Sequence, residues 1–390
     1  MDVKHEVAER HSTLVALRRD FHQHPELAMQ ETRTAGIIAE RLRASGLEVR
    51  AGVANTGVVG VLRGGHPGKT LAIRADIDAL PVQEENSLPF KSEIPGKMHA
   101  CGHDGHAAIA LTVADILAQH RSDLHGNLTF LFQPAEEVLG GAKPMLDEGT
   151  LQQPDVDAVI GLHLASGLPT SLVGVRPGVI AASSDGFSIR VRGRAGHGAM
   201  PHQAIDPILS AAQIVVALQT LITREISPLH AAVLTLGSFH SGSAANVIAD
   251  EAVLQGTIRA FSVEDRAHLV SRLSEVVQQV AASLGASATV EMVSGCPPCV
   301  NEEAMTQLVQ RAAVEAVGEG QVIAEGNPSS ASDDMSYFLN AVPGCYFNLG
   351  AGDEAHGYGA PHHSPRFTVD EACLPTGVEV MVRAALEYLR

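Results

Sequence analysis

The chemically loaded residues of this chain fall in five segments between Asp76 and His363, each at the end of a strand-like apolar run or on the loop after one. Thr70–Ile73 leads into Arg74-Ala75-Asp76-Ile77-Asp78, and Asn127–Phe132 runs into Gln133-Pro134-Ala135-Glu136-Glu137. Val156–Leu162 delivers His163, and Cys345–Leu349 precedes a glycine-rich loop ending in His362-His363-Ser364-Pro365. The fifth segment is Met98-His99-Ala100-Cys101-Gly102-His103-Asp104-Gly105-His106. Ligands of open α/β sheets bind in the crevice at the carboxyl ends of the strands. The expectation is therefore an α/β chain with one site assembled from distant parts of the sequence.

The types of residue say what such a site holds. A thiol, three imidazoles and a carboxylate crowd into Met98–His106, a density that an apolar core does not tolerate without a ligand. Cys101 and His103, two apart, can face one point on an irregular turn, and sulfur with imidazole suits zinc, cobalt, nickel or manganese. Isolated histidines and cysteines are usually structural; here the other four segments favour a metal site. The adjacent acids Glu136 and Glu137 can do different jobs, and in an extended strand Asp76 and Asp78 point to one side.

These motifs, with Gly193-Arg194-Ala195-Gly196-His197-Gly198-Ala199-Met200-Pro201-His202 and Arg18–Leu27 in the same order, resemble the metallo-aminoacylase and metallo-carboxypeptidase family. The similarity covers nearly the whole chain. It is strongest to the branch holding hippurate hydrolase, the indoleacetyl-amino-acid hydrolases and N-acetyldiaminopimelate deacetylase. The resemblance implies that Cys101, His103, Glu137, His163 and His363 hold two divalent transition-metal ions (zinc, manganese, nickel or cobalt), with Cys101 as the bridge. His362 competes with His363, which is preferred because the family's ligand directly precedes the Ser-Pro pair. Glu136 is then the general base and acid. Asp76 or Asp78 orients a ligand imidazole, or is a buried structural acid. His197 reaches the neighbouring subunit's substrate carbonyl, and Asn246 and Arg259 bind the substrate carboxylate. Ser329–Asp334 departs from the Glu-Asp pair that relatives often carry there.

The rhythm of the chain suggests an insertion. Up to about residue 183, helix-like stretches such as Val7–Phe21 and Glu31–Ser45 alternate with buried strands, implying a mixed sheet. From Asp185 the pattern changes to β-α-β-β-α-β, the order of a ferredoxin-like domain. From about Pro297 the first pattern resumes. The expected division is a discontinuous catalytic domain, 1–183 with 297–390, and an inserted domain, 184–296. By resemblance the insert is a lid and dimerisation module, making the protein a homodimer or homotetramer.

Composition removes other classes. A net charge of -17 speaks against nucleic acid or an anionic membrane as partner. The best apolar run, Ala211–Ile222, is interrupted by Gln213 and Gln219, and the amino terminus lacks the apolar stretch of a secretory signal. Five scattered cysteines suggest a reducing cytoplasm, and Cys296-Pro297-Pro298-Cys299 lacks both a second pair and the context of a redox motif. Gly350–Ala355 follows a strand, but the His, Gly and Pro after it cannot form the helix of a dinucleotide fingerprint. No Walker loop, GxSxG elbow or HExxH helix is present. The sequence thus reads as a cytoplasmic two-metal amidohydrolase acting on a small N-acyl-L-amino acid. A dipeptidase or carboxypeptidase is the rival within the same chemistry. A catalytically silent metal- or amino-acid-binding protein is the rival from another class, and the spare acid Glu136 argues against it.

Overall fold

A computed structural model of the chain describes residues 1–390, the side chain of Ser294 apart. Helix α1 (Val3–Gln23) starts at Asp2, whose carboxylate accepts the His5 amide, and buries Val3, Val7, Leu14, Leu17 and Phe21, the spacing of one apolar face. Helix α2 (Thr32–Ala44) follows. Strands β1 (Glu48–Val53), β2 (Gly57–Arg63) and β3 (His66–Asp76) lead to helix α3 (His103–Gln119), then to β4 (His125–Gln133) and β5 (Ala158–Pro169).

These strands form an eight-stranded mixed sheet in the order β1, β2, β4, β3, β5, Gly344–Gly352, Val173–Val175, Val322–Ala324. β4, β3, β5 and Gly344–Gly352 run parallel to their neighbours within this set, while β1, β2 and Val173–Val175 add antiparallel pairs. The inner strands read as continuous apolar runs because both of their faces are covered; from Thr70 onward β3 is buried without a break. Register brings the loaded ends together. Asp76 lies opposite Gln133, Arg74 opposite Gly161, and Asn348 opposite His163. The α/β class with a mixed sheet therefore matches the expectation.

The chain divides into two compact units, Met1–Gly178 with Val300–Asn327 and Asp334–Arg390, and Val179–Cys299 with Pro328–Asp333. The second unit holds four antiparallel strands in the order Ala232–Ser241, Glu251–Ala260, Ser184–Arg192, Ser287–Cys296. With helices Pro207–Thr220 and Val263–Ser283 the chain order is β-α-β-β-α-β, a ferredoxin-like arrangement. Its core takes Phe187, Ile189 and Val191 from alternate strand positions and Leu269, Leu273 and Val277 from every fourth helical one. Gly196–His197 and Val247–Ile248 form a separate two-stranded ribbon.

One sequence reading needs correction. Despite Gln213 and Gln219, the continuous helical segment Pro207–Glu225 is long and apolar enough to cross a membrane by length and composition. Its apolarity has another use here, since Ala211, Ile214, Leu218 and Leu221 fill the core of the second unit.

A buried polar network pins the first turn of α3 to α1. Asp104 lies 2.9 Å from Arg18 Nε and accepts a hydrogen bond from His22 Nδ1 at 2.8 Å, with all three side chains inaccessible to solvent. Burial pushes the Asp104 carboxyl up, but the Arg18 charge and the His22 hydrogen bond outweigh it and hold it far below the usual carboxylate range. Asp104→Leu leaves a buried cation without its nearest counter-charge, and we expect a loss of about 3–5 kcal/mol in urea unfolding of the metal-free protein. The double variant Arg18→Met, Asp104→Leu should recover most of that loss. A single variant that unfolds with the wild type would show that the pair contributes nothing.

Candidate metal centre

The Met98–His106 run ends in the amino terminus of α3, so Cys101 sits just before the helix and His103 opens it, separated by Gly102 in a left-handed conformation at φ 99°. Cys101, His103 and Glu137 place one ligand atom each within 4.8 Å of one another, and so do Cys101, His163 and His362. Cys101 is common to both groups. Its Sγ lies 3.5 Å from His163 Nε2 and 3.6 Å from His362 Nδ1.

The hydrogen bonds decide which ring nitrogens face this centre. His103 Nδ1 donates to the carbonyl of Asp78 at 2.9 Å, which leaves Nε2 as the lone-pair nitrogen. That Nε2 is buried without a hydrogen-bond partner, and so is Glu137 Oε1, 3.9 Å away. His163 Nδ1 donates to the carbonyl of Leu164 at 2.9 Å, turning its Nε2 to the sulfur in the same way. Fixing a ligand imidazole through its other nitrogen is how metal sites set tautomer and orientation.

Charge agrees with geometry. Burial, with His106 and His362 nearby, holds His163 well below the ordinary imidazole range, and burial pushes His362 down to about 4, so both rings are neutral near pH 7. Burial also pushes the Cys101 thiol and the Glu137 carboxyl up. His103 is the exception. Burial lowers it, but Asp76 and Cys101 outweigh burial and raise it well above its usual value, marking a place that calls for positive charge. Orphaned buried donor atoms together with a set of sulfur, imidazole and carboxylate fit transition-metal cations rather than calcium or magnesium.

The two aspartates divide their work. Asp78 accepts the amides of Glu136 and Glu137 on its two carboxylate oxygens, at 3.0 and 3.1 Å. Asp76 accepts from His106 Nδ1 at 2.6 Å and from Arg74 Nη1 at 2.6 Å. His106 in turn accepts the Leu164 amide on Nε2 at 2.9 Å, bracing β5 beside His163. His106 belongs to the dense histidine run, yet nothing in its spacing separates it from His99 or His103. Glu136 is buried, with its carboxylate 4.0 Å from His103 Nε2.

Both histidines of the pair near the carboxyl terminus reach the centre. His362, rather than His363, meets Cys101 and His163. His363 has φ 64°, and this turn leaves its side chain 55 % exposed with Nε2 3.3 Å from Glu137 Oε2. Of the residues expected in the insert, His197 and Asn246 come together on the short ribbon, where the Gly198 amide donates to the Asn246 carbonyl at 2.9 Å. Arg259 lies on Glu251–Ala260, opposite Val233.

Known proteins resemble this chain over nearly its whole length. The chain is 40% identical over 361 residues to the N-acetyl-L-cysteine deacetylase of Bacillus subtilis, covering 93% of this chain and 84% of that one. It is 38% identical over 390 residues to thermostable carboxypeptidase 1 of Saccharolobus solfataricus, covering 99% and 98%. Among solved structures, the YXEP protein of Bacillus subtilis, described as a dinuclear metal-binding peptidase of the M20 family, superposes with a TM-score of 0.82 at 33% identity, covering 98% of this chain and 99% of that one. Residues 72–387 match the family model described as peptidase family M20/M25/M40, and with these relatives the chain belongs to that family.

Proposed function

We propose that this protein is a two-metal amidohydrolase that cleaves an N-acyl-L-amino acid, of the hippurate type, to a carboxylic acid and a free amino acid. The observation that carries the proposal is a buried acid, Glu136, held beside two ligand groups that share Cys101. Cys101, His103 and Glu137 would hold one ion, and Cys101, His163 and His362 the other. Zinc, manganese, nickel or cobalt suits these donors. Such ions, when bound, acidify water to a pKa of about 7 and polarise a carbonyl.

The chain's own residues supply the rest. Glu136 takes the proton from the attacking water and delivers it to the leaving nitrogen, while Asp78 holds its backbone still. A protein that only bound metal or an amino acid would have no need of a general base beside its ligands. His197 accepts the Ala199 amide on Nδ1 at 3.0 Å, so its Nε2 carries the hydrogen and is a donor suited to a carbonyl oxygen gaining charge. Asn246 and the forked guanidinium of Arg259 are suited to the substrate carboxylate. In this proposal the second unit serves as lid and dimerisation surface, and the enzyme works in the cytoplasm.

A screen of N-acetyl, N-benzoyl and indoleacetyl amino acids beside dipeptides, with each metal in turn, tests the substrate class. Faster turnover of dipeptides would favour the peptidase reading. Saturated protein should hold about two ions per chain, and exhaustive chelation should abolish hydrolysis that re-addition restores. Glu136→Gln should lose most turnover with metal content nearly intact, whereas Glu137→Gln should lose metal. Equal metal loss in both would reverse the assignment of the two acids.

His362→Ala should lower metal content more than His363→Ala, as measured by elemental analysis after dialysis. The opposite order would restore His363 as the ligand.

If His197 acts across a dimer, His197→Ala and Glu136→Gln homodimers should each be nearly inactive, and mixing should rescue them. Half of the randomly exchanged dimers are mixed, each with one intact site of two, so recovery should approach about a quarter of wild type under two-fold symmetry. Heterodimers that form, as seen with mass-tagged subunits, yet stay inactive would remove the trans role.

A further inference from the structure

We infer that Glu31 is a positioning residue for the base: it fixes the turn from which Glu136 projects, without itself holding metal. The inference rests on the reading of Glu136 as the base.

Glu31 is fully buried and stands at the N-cap of α2, yet it makes no side-chain cap to its own helix. An acid at that position commonly accepts an amide of the first turn. Here the carboxylate reaches away instead. Oε1 accepts the Ala135 amide at 2.9 Å and Oε2 accepts the Thr56 hydroxyl at 2.5 Å. Ala135, immediately before Glu136, adopts φ 54° and ψ 39°, a left-handed conformation that a residue with a β-carbon takes only where its surroundings enforce it.

Glu31 belongs to a set of three. Asp78 takes the amides of Glu136 and Glu137, and Asp334 takes those of Gly141 and Ala142 at 3.3 and 3.0 Å. The Gln133–Ala142 loop is thus strung on buried carboxylates from three distant segments, which accept its amides. The Asp78 carboxylate also lies 3.3 Å from His103 Nδ1, and that of Asp334 also carries Arg74 and Gln133, so changing either side chain disturbs more than the loop. Glu31 can be changed more cleanly, because its hydrogen bonds go to Thr56 and Ala135, neither in a ligand group. A neutral group of the same shape can keep both hydrogen bonds, since a Gln amide offers an acceptor to Ala135 and a donor to Thr56.

The experiment compares Glu31→Leu, Glu31→Gln and Thr56→Val in the full-length, metal-loaded enzyme. Glu31→Leu should lower kcat by about tenfold or more, with KM within about twofold and metal content per chain unchanged. Glu31→Gln, whose amide keeps an acceptor for Ala135 and a donor for Thr56, should return kcat to within about threefold of wild type. Thr56→Val should fall between them. A readout independent of turnover is amide exchange of the peptide spanning residues 134–142 in the metal-free protein, expected to be about tenfold faster in Glu31→Leu and unchanged in Glu31→Gln. Unchanged kcat and exchange in Glu31→Leu, a Gln variant no better than Leu, or loss of metal in parallel with activity each overturns the inference. Should Glu31→Leu not fold, Thr56→Val decides by the same criteria. Full turnover in Glu136→Gln would remove the base itself, whereas an inactive Glu136→Gln beside fully active Glu31→Leu and Thr56→Val would overturn this inference alone.

Discussion

The hydrogen bonds of Asp78 are the constraint on which the site depends. Its two carboxylate oxygens take the amides of Glu136 and Glu137, while its carbonyl takes Nδ1 of His103. The proposed base, the proposed ligand acid and a ligand imidazole are therefore set by one residue and cannot shift independently. Asp78 is itself fixed by the parallel pairing of β3 with β4, which sets Asp76 opposite Gln133 and brings both following loops to one level. A buried carboxylate in this role is costly to desolvate, and the two amide bonds offset part of that cost.

Much of this was legible because strand ends and motif order are local properties. Apolar runs bounded by charged or histidine-bearing loops identify the inner strands, and the change of rhythm near Asp185 marks the ferredoxin-like pattern. Roles set by tertiary partners were not legible. Alternation places Asp76 and Asp78 on one side of a strand, but only the fold gives one to His106 and Arg74 and the other to the acid loop. His362 and His363 are neighbours in sequence, and what separates them is a positive φ that spacing does not encode. Glu31 and Asp334 act through backbone amides of a loop more than a hundred residues away, where the sequence carries no complementary signal at all.

The electrostatics of the sheet end follow from how many acids gather there. Asp76, Asp78, Asp104, Glu136 and Asp334 are all buried in a chain that is already acidic overall. Arg74 meets two of them, with Nη1 2.6 Å from Asp76 and Nη2 3.2 Å from Asp334, and Arg18 meets Asp104. Removing either arginine would strand carboxylates in a low-dielectric interior, which costs far more than an exposed ion pair contributes.

Those two guanidinium groups are committed to other acids, so any further negative charge at the sheet end needs another source of positive charge. Without metal, His103 supplies it: Asp76 raises its pKa well above the ordinary value even though burial opposes the charge. A proton there occupies Nε2, the same nitrogen that the Asp78 hydrogen bond leaves open toward the centre. A proton and the proposed metal would therefore compete for one lone pair. Affinity for the proposed metal should consequently weaken as pH falls, because the Asp76 carboxylate favours the proton on His103 that a cation would have to displace.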